Sequence, residues 1–465
     1  MKTYAIVMAA GKGTRMVSNK PKVLHEVLYK PMILHIIDAL KEMQVDHIYV
    51  IVGHHAKEVE AMVQDDSITF VLQEEQLGTG HALLQAKSLL ASKAGTTIVL
   101  NGDAPLITSH TLQKLKEYHI QHQLQATVMS CDLPSETHFG RIIKTAGKLQ
   151  RIIEYKDLQA DQKNIQEMNV GEYCFNNKEL FKALELITNN NAQKEYYITD
   201  LLQIMNAKGL HVDSYKIDDF TEVGGINNRS ELYEATKVLQ RRVNQKHLNN
   251  GVSIIDLDNT YITNDVKIGM DTIIEPGCII KGKTEIGKGC RIGPYCELDN
   301  VIIKDEVEIK QSVISDSIIE EGVDIGPYAR LRTNCHILEN VHIGNFVEMK
   351  KTTFGKRSKS AHLSYIGDAK VGQDVNIGCG TITVNYDGKN KSQTVIKDRA
   401  FVGCNSNLIA PVEVGEKAYV AAGSTITQNV DSDALAIARA RQENKTNYVP
   451  ILEQKREEKG RNGDK

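Results

Sequence analysis

The chain of 465 residues has no tryptophan, and aromatic residues make up only 5% of it. Large rings cannot fill the cores of a chain this long, so aliphatic side chains must. Its eight cysteines (131, 174, 278, 290, 296, 335, 379 and 404) include no Cys-x-x-Cys pair. That spacing excludes the common structural zinc motifs and gives no sign of a disulfide framework, so reduced thiols are expected. Charge of one sign is not in excess: 56 Lys and Arg stand against 59 Asp and Glu, a formal net charge of −3. No basic field is available for nucleic acid, and no nucleic-acid partner is expected. No apolar run reaches membrane-spanning length, and the opening residues lack the pattern of a secretory leader. The expectation is a cytoplasmic protein without a membrane partner.

What the second half has is a period of six. An aliphatic residue recurs at Ile262, Ile268, Ile274, Ile280, Ile286, Ile292 and Leu298, again from Ile319 to Met349, and again from Val402 to Ile426. Six matches neither a helix nor a lone strand. It matches a solenoid whose short strands form the faces of a triangular coil, each aliphatic residue pointing inward onto the coil below. Glycine often follows the aliphatic residue, as in Ile268-Gly269 and Ile343-Gly344, and is expected to permit the corner turns. The register slips around Lys304 to Ser317. Val384 to Asp398 is polar enough to loop out, and such loops commonly carry binding residues.

The first half alternates strand-like runs (Tyr4–Met8, His47–Val52, Thr97–Leu100) with amphipathic stretches (Ile33–Met43, Ala56–Val63). That alternation predicts a mostly parallel sheet with helices on both faces, which binds ligands at the carboxyl ends of its strands. From Asn228 to Asn249, Leu232, Ala235, Val238, Leu239 and Val243 mark one helical face, a helical arm between two domains. The tail KREEKGRNGDK has no apolar face and is expected to be disordered.

The first strand runs into Ala9-Ala10-Gly11-Lys12-Gly13-Thr14-Arg15-Met16, followed by Pro21 and Lys22. Glycines let backbone N–H groups approach a phosphate, and Arg15 and Lys22 can add charge-assisted bonds to it. Met16 stands where a dinucleotide fingerprint has its third glycine, and the P-loop ending is missing. A strand–glycine–helix turn also needs glycine for sterics alone, so the loop by itself leaves both readings open. Asp103 ends a strand and is either a turn residue or an oxygen ligand for Mg²⁺. In the second half, Ala361-His362-Leu363-Ser364-Tyr365-Ile366-Gly367-Asp368 breaks the aliphatic repeat. A histidine of ordinary pKa, near ~6.5, suits proton transfer at neutral pH. A surface or packing role remains open for it, as it does for Arg332 and Lys350 on a solvated solenoid.

The longer strings are more specific. AAGKGTRM…PKVLH, Gln73, Gln76-Leu77-Gly78-Thr79-Gly80, Asn101-Gly102-Asp103-Ala104-Pro105-Leu106, Phe139-Gly140-Arg141-Ile142, Glu154-Tyr155-Lys156-Asp157, Asn169 and Asn227 cover nearly all of residues 3–228. They resemble nucleotidyltransferases that activate sugar 1-phosphates. With the six-residue period behind them, the chain resembles a bacterial bifunctional family that joins an N-acetylglucosamine-1-phosphate uridylyltransferase to a glucosamine-1-phosphate N-acetyltransferase. The second resemblance runs from about Gly251 to Arg441.

The resemblance implies a Rossmann-like α/β nucleotidyltransferase domain followed by a left-handed parallel β-helix. The expected boundaries are 1–228 for the first domain, 229–249 for the helical linker, 250–452 for the β-helix and 453–465 for the tail. It implies that Arg15 and Lys22 hold the departing pyrophosphate, and that Gln73, Gly78 and Thr79 hold uracil. Gly140, Glu154 and Asn169 would hold the sugar, with Met8, Ala9, Ala10, Gly11, Asn101 and Gly102 completing the substrate contacts. Asp103 and Asn227 would bind Mg²⁺. In the second domain it implies His362 as general base, Arg332 and Lys350 on the sugar phosphate, and Tyr365, Asn376 and Glu348 around the sugar and base. Cys379, Asn385, Tyr386, Cys404, Ala422 and Arg439 match positions around acetyl-CoA.

UTP and acetyl-CoA are the implied co-substrates, and a homotrimer built through the solenoid is the implied assembly. The chain departs from the family pattern at Tyr29, where glycine is usual, at Lys144, where a basic residue, often arginine, is usual, at Val170-Gly171-Glu172-Tyr173 beside the sugar pocket, and at Cys404, where serine or alanine is usual. Two rivals remain in the sequence. One is a nucleotidyltransferase for another sugar whose solenoid is only a trimerisation scaffold; the other is a non-enzymatic nucleotide sensor on a structural solenoid. A scaffold needs neither HLSYIGD nor the VNYDGKN excursion.

Overall fold

The computed structural model describes residues 1–462 except Lys12, Ser135 and Glu136, and it divides into two compact units, Met1–Gln245 and Lys246–Lys465. In the first unit the parallel strands Ile68–Leu72, His47–Val52, Thr3–Met8 and Thr96–Asn101 lie side by side in that order. The long strand Glu167–Asn176 runs antiparallel beside Thr96–Asn101, followed by Ala126–Asp132 and Val212–Ile217, while Arg141–Thr145 also pairs with it and carries Lys148–Ile153. Helices cover both faces. Val7, Val50 and Ile98 pack with Ile33, Ile36 and Leu40 of the helix Met32–Glu42 on one side. Ile6, Ile51 and Val99 pack with Leu83, Leu90 and Leu201 on the other. Burial of both faces explains why these strands read as unbroken apolar runs instead of alternating ones.

The helix expected to join the domains is present as Arg229–Asn249, and its residues up to Gln245 fall in the first unit. The Arg242 guanidinium donates to Leu106 O at 2.7 Å, within that unit.

The second unit is a parallel β-helix with three faces. One face starts at Ser253–Ile254 and continues through Ile273–Ile274, Arg291–Ile292 and Glu308–Ile309. The second starts at Tyr261–Ile262 and the third at Lys267–Ile268. Ile274 stacks on Ile292, Ile280 on Leu298 and Ile286 on Ile303, the first four of these fully buried and Ile286 and Ile303 nearly so.

Three local expectations need correction. The coil is not interrupted between Lys304 and Ser317: Ile303, Ile309, Ile314 and Ile319 are all buried and paired. The register slips because the corners after Leu298, Ile309 and Ile314 are one residue shorter. They turn through Asn300, Gln311 and Asp316, each at positive φ. The glycines after the aliphatic positions turn the chain at Gly293 and Gly326, at φ 110 and 105, but serve a different purpose at Gly269 and Gly344. At Gly344 a Cβ would lie 1.8 Å from Ala361 O, and at Gly269 it would lie 2.7 Å from the backbone of Gly287. Close stacking of coils, without any left-handed backbone, demands glycine at both. The polar excursion is also shorter than expected, because Thr394–Ile396 is already a strand again, paired with Val412–Val414.

The tail differs too. Tyr448–Asn462 is a helix, where disorder was expected from 453 onward. Glu, Lys, Arg and Gln are good helix formers, which the lack of an apolar face concealed. Residues 463–465 of that tail lie outside the described residues.

Ile337 is fully buried between Ile319 and Phe354 on the third face. Ile337→Ala should cost the second unit about 2–5 kcal/mol. Calorimetry should show one transition lowered and the other unmoved. An unchanged profile would refute the stacked core.

Candidate functional site

Met8 and Asn101 are register partners, so the loops that follow their strands open on the same edge of the sheet. The first loop turns through Gly13, at φ 60, into the 3-10 turn Thr14–Met16, and Lys22 heads the turn Lys22–Leu24. The Lys22 ammonium bonds the carboxylate of Asp103 and also donates to Asn227 Oδ1 at 2.7 Å. The Arg15 guanidinium donates to the same oxygen at 2.8 Å. Residues far apart in sequence thus gather two cations around one carboxylate and one amide.

A cleft of about 540 Å³ is lined by Met8, Ala9, Ala10, Gly11, Arg15, Lys22, Gln73, Gly78, Thr79, Asn101, Asp103 and Asn227. Gly102 stands behind it, its N–H donating to Met8 O at 2.9 Å. Gln73 is buried; its amide donates to Gly78 O at 3.3 Å and lies 3.0 Å from His81 Nδ1. Gly78 adopts φ 110, and a Cβ there would come within 2.7 Å of Tyr196 O. Only glycine fits both the space and the dihedral. The Thr79 hydroxyl is engaged structurally, accepting the Ile198 N–H at 3.0 Å. A cleft lined by the glycine-rich loop and two cations suits a polyanion.

Gly140, Glu154 and Asn169 do not line that cleft; they form a cluster beside it. Asn169 N–H donates to Gly140 O at 2.9 Å, and its side-chain amide donates to the Tyr173 hydroxyl at 2.8 Å. Gly171 links the two regions, donating to Asn169 Oδ1 at 3.0 Å and accepting from the Asn101 amide at 3.2 Å. Burial raises the Glu154 pKa against the bond it accepts from Thr199. Glu172 is the anomaly of this region. It is fully buried, neither carboxyl oxygen has a hydrogen-bond partner among the described residues, and burial, with the Asp103 charge second, pushes its pKa up to about 8. At neutral pH this carboxyl is predominantly protonated.

The second constellation lies along the solenoid. Strands His342–Lys350 and Lys359–Gly367 pair Asn345 with His362, Glu348 with Tyr365 and Lys350 with Gly367, while Arg332 pairs with Lys350. His362, Tyr365, Arg332 and Lys350 therefore occupy neighbouring coils. His362 Nδ1 lies 3.2 Å from Asn345 Oδ1; an N–H donated there leaves Nε2 as the basic nitrogen. Arg332 pairs with Glu348 at 2.6 Å. The Lys350 pKa is lowered chiefly by the Lys391 ammonium held against it, with Arg332 adding to the effect. Three cations so close together describe an anion site. Asn376 starts the adjoining face, paired with Lys359. Cys379 and Cys404 share one corner of successive coils, next to Ala422 and Arg439. Asn385, bonded to the Asp368 carboxylate, and Tyr386 lie at the other end of the strand Ile382–Val384.

The model of the nucleotidyl transferase family matches residues 4–240, and that of a GMPPB C-terminal domain matches residues 257–354. The "Bifunctional protein GlmU" of Geobacillus sp. (strain WCH70) is 50% identical over 453 residues, covering 97% of this chain and 98% of that protein. The protein of the same name from Halalkalibacterium halodurans is 50% identical over 447 residues, 96% of this chain and 98% of that protein. That from Listeria monocytogenes serotype 4a is 49% identical over 452 residues, 97% and 99% respectively. The chain belongs to the GlmU family. It is a bifunctional transferase of UDP-N-acetylglucosamine synthesis.

Against that family the departures acquire physical content. Tyr29 takes φ 63, a dihedral that glycine adopts freely and tyrosine does not. Lys144 keeps an ion pair with Glu167 at 2.8 Å. Lys391 and Asn345 were missed in the sequence. Lys391 lies in the polar excursion that was singled out, but only folding sets its ammonium against Lys350. Nothing in the spacing announces Asn345 as the neighbour of His362.

Glu172 gives a pH test. An acid whose folded pKa lies above its unfolded value lends stability that is complete below the unfolded pKa and is lost as pH rises through the folded one. Wild type should therefore lose stability between about pH 4.5 and pH 8 from this group. Glu172→Gln should gain on wild type steadily across that window, measured by denaturant unfolding with EDTA present. A constant difference would mean that the carboxyl ionises normally.

Proposed function

We propose that the chain acetylates glucosamine 1-phosphate with acetyl-CoA in its second unit and joins the product to UTP in its first, releasing pyrophosphate. The assignment of residues rests on one observation above all. Two separate cation-rich sites exist, one around Asp103 and Asn227 and one around Lys350, and each has the chemistry that its half-reaction needs.

In the nucleotidyltransferase domain, 1–228, the sugar phosphate oxygen attacks the α-phosphorus of UTP, so no protein nucleophile is required. Transfer depends on positioning and charge neutralisation. Arg15 and Lys22 hold the departing pyrophosphate. Gln73, Gly78 and Thr79 hold the base, with the backbone of Met8 to Gly11 beneath the phosphates. Asn101, Gly102, Gly140, Glu154 and Asn169 hold the sugar. Asp103 and Asn227 fit Mg²⁺: both oxygens already converge on a cation, the Lys22 ammonium. Among the described residues no cluster of three or more acidic, histidine or cysteine side chains could hold an ion alone. That suits Mg²⁺, which takes one or two protein oxygens and shares substrate phosphates. When bound, the ion supplies charge neutralisation on the triphosphate.

In the β-helix domain, 250–452, Arg332, Lys350 and Lys391 hold the sugar phosphate, and Tyr365 and Asn376 orient the sugar. His362 takes the proton from the amine as it attacks the thioester. CoA departs along Cys379, Cys404, Ala422 and Arg439, with Asn385 and Tyr386 contributed across a left-handed homotrimer. No helix among the described residues is long and apolar enough to cross a membrane, in keeping with a cytoplasmic enzyme acting on small molecules.

His362→Ala should lower acetyl transfer by roughly 10²–10⁴-fold and leave uridylyl transfer intact, with Asp103→Ala doing the reverse. The assay is mass spectrometry of products from glucosamine 1-phosphate, acetyl-CoA, UTP and Mg²⁺. A UDP-sugar lacking the acetyl group would defeat the acetyltransferase assignment. Lys22→Met should bind Mn²⁺ more tightly than wild type in the absence of nucleotide, because the competing ammonium is gone. Equal affinities by titration calorimetry would remove Asp103 and Asn227 as the ion's ligands.

A further inference from the structure

Six of the eight cysteines are buried; Cys379 and Cys404 reach the surface. These two belong to one corner of neighbouring coils. Strand Asn376–Ile377 pairs in parallel with Phe401–Val402, Ile377 beside Val402. Gly378 N–H donates to Val402 O at 2.8 Å, and Asn405 N–H donates to Cys379 O at 2.7 Å. A Cβ built on Gly378 would lie 2.7 Å from Cys404 N. The register thus carries Cys379 directly onto Cys404. Parallel neighbours stand about 4.7–4.9 Å apart, inside the roughly 4.4–6.8 Å Cα separation that a disulfide spans.

A second pair supplies the contrast. Cys278 and Cys296 also lie one coil apart, and their thiols hydrogen-bond to each other, but both are buried in the solenoid core. No reagent reaches them without unfolding. The surface pair has the same register and the access that exchange chemistry requires.

We propose that Cys379 and Cys404 form an exchange-reactive dithiol that reduces small-molecule disulfides and closes into a bond between coils. The more exposed Cys404 attacks as the thiolate, its proton passing to solvent. It forms a mixed disulfide and expels one thiolate, which takes up a proton. The Cys379 thiolate then attacks Cys404 Sγ and expels the second thiol. The balance is one disulfide reduced to two thiols, and two cysteine thiols oxidised to one disulfide. Resting on the reading of this corner as part of the acetyl-CoA site, the favoured substrate is the disulfide of CoA itself. The closed bond then alters the wall against which the acetyl donor lies.

The test treats reduced full-length protein with CoA disulfide, and in parallel with glutathione disulfide, followed by intact-mass measurement and peptide mapping. Two of the eight thiols should disappear with the loss of two hydrogens, and the new bond should map to Cys379–Cys404. Cys379→Ser should instead retain one CoA on Cys404. Acetyl transfer should fall by at least about tenfold against the same sample re-reduced, while uridylyl transfer stays constant. A stable CoA adduct on the wild-type chain, a bond at Cys278–Cys296, or no loss of thiol would overturn the proposal. Equal rates with the two disulfides would sink its preference for CoA. Closure of the bond with acetyl transfer unaffected would leave the dithiol standing and defeat the donor-site reading.

Discussion

Parallel pairing sets like ends of strands level with one another, as Met8 beside Asn101 in the first unit and Ile314 beside Leu331 in the second. In the first unit this collects the loops of several strands at one sheet edge, and the polar residues placed there become a cleft. In the second it carries each coil onto the last, so that aliphatic residues meet in the interior and polar ones form columns outside. The adjacency of Arg332, Lys350 and Gly367, or of Cys379 and Cys404, follows from register alone. A one-residue slip would scatter both. The short corners show how that register is kept: the chain loses a residue where Asn300, Gln311, Asp316, Lys351 and Asp368 turn it in the left-handed region.

Charge is handled differently in the two units. The Asp103 carboxylate has Lys22 against it, with Arg15 one bond away on Asn227. This arrangement is self-neutralised, and a cation that enters must displace an ammonium. On the solenoid, Arg332, Lys350 and Lys391 face Glu348 and Asp368, and the excess positive charge is left toward solvent. Glu172 stands apart from both schemes. A buried carboxyl with no partner is held neutral by the cost of charging it in an apolar setting. It occupies the strand that carries Asn169, so its environment and that of the Gly140, Glu154 and Asn169 cluster are mechanically joined.

The fold was largely legible. Unbroken apolar runs such as HIYVIV belong to strands buried on both faces, and the six-residue period belongs to a coil of three faces. The register slip and the charged tail were misread for definite reasons. A shortened corner disturbs the period without ending the coil, and a helix such as Tyr448–Asn462 that buries no stripe leaves no periodic trace. Of the proposed sites, the glycine-rich loop, Asp103, Asn227 and His362 were picked out from strings that resemble a family. Lys391 and Asn345 were not, because each matters through a neighbour seventeen or more positions away.

The sequence by itself determined the two architectures, since periodicity is a local property that survives in the linear chain. It also offered residue types for the proposed chemistry, cations for phosphate, a histidine for the amine and oxygens for a metal ion. Only tertiary structure decided which of them meet. Lys22 reaches Asn227 across nearly the whole first unit, Glu172 is driven protonated by neighbours it does not touch in sequence, and Cys379 lies over Cys404 because one polar loop and one coil separate them. Proximity of this kind depends on how segments pack and register, and no spacing along the chain encodes it.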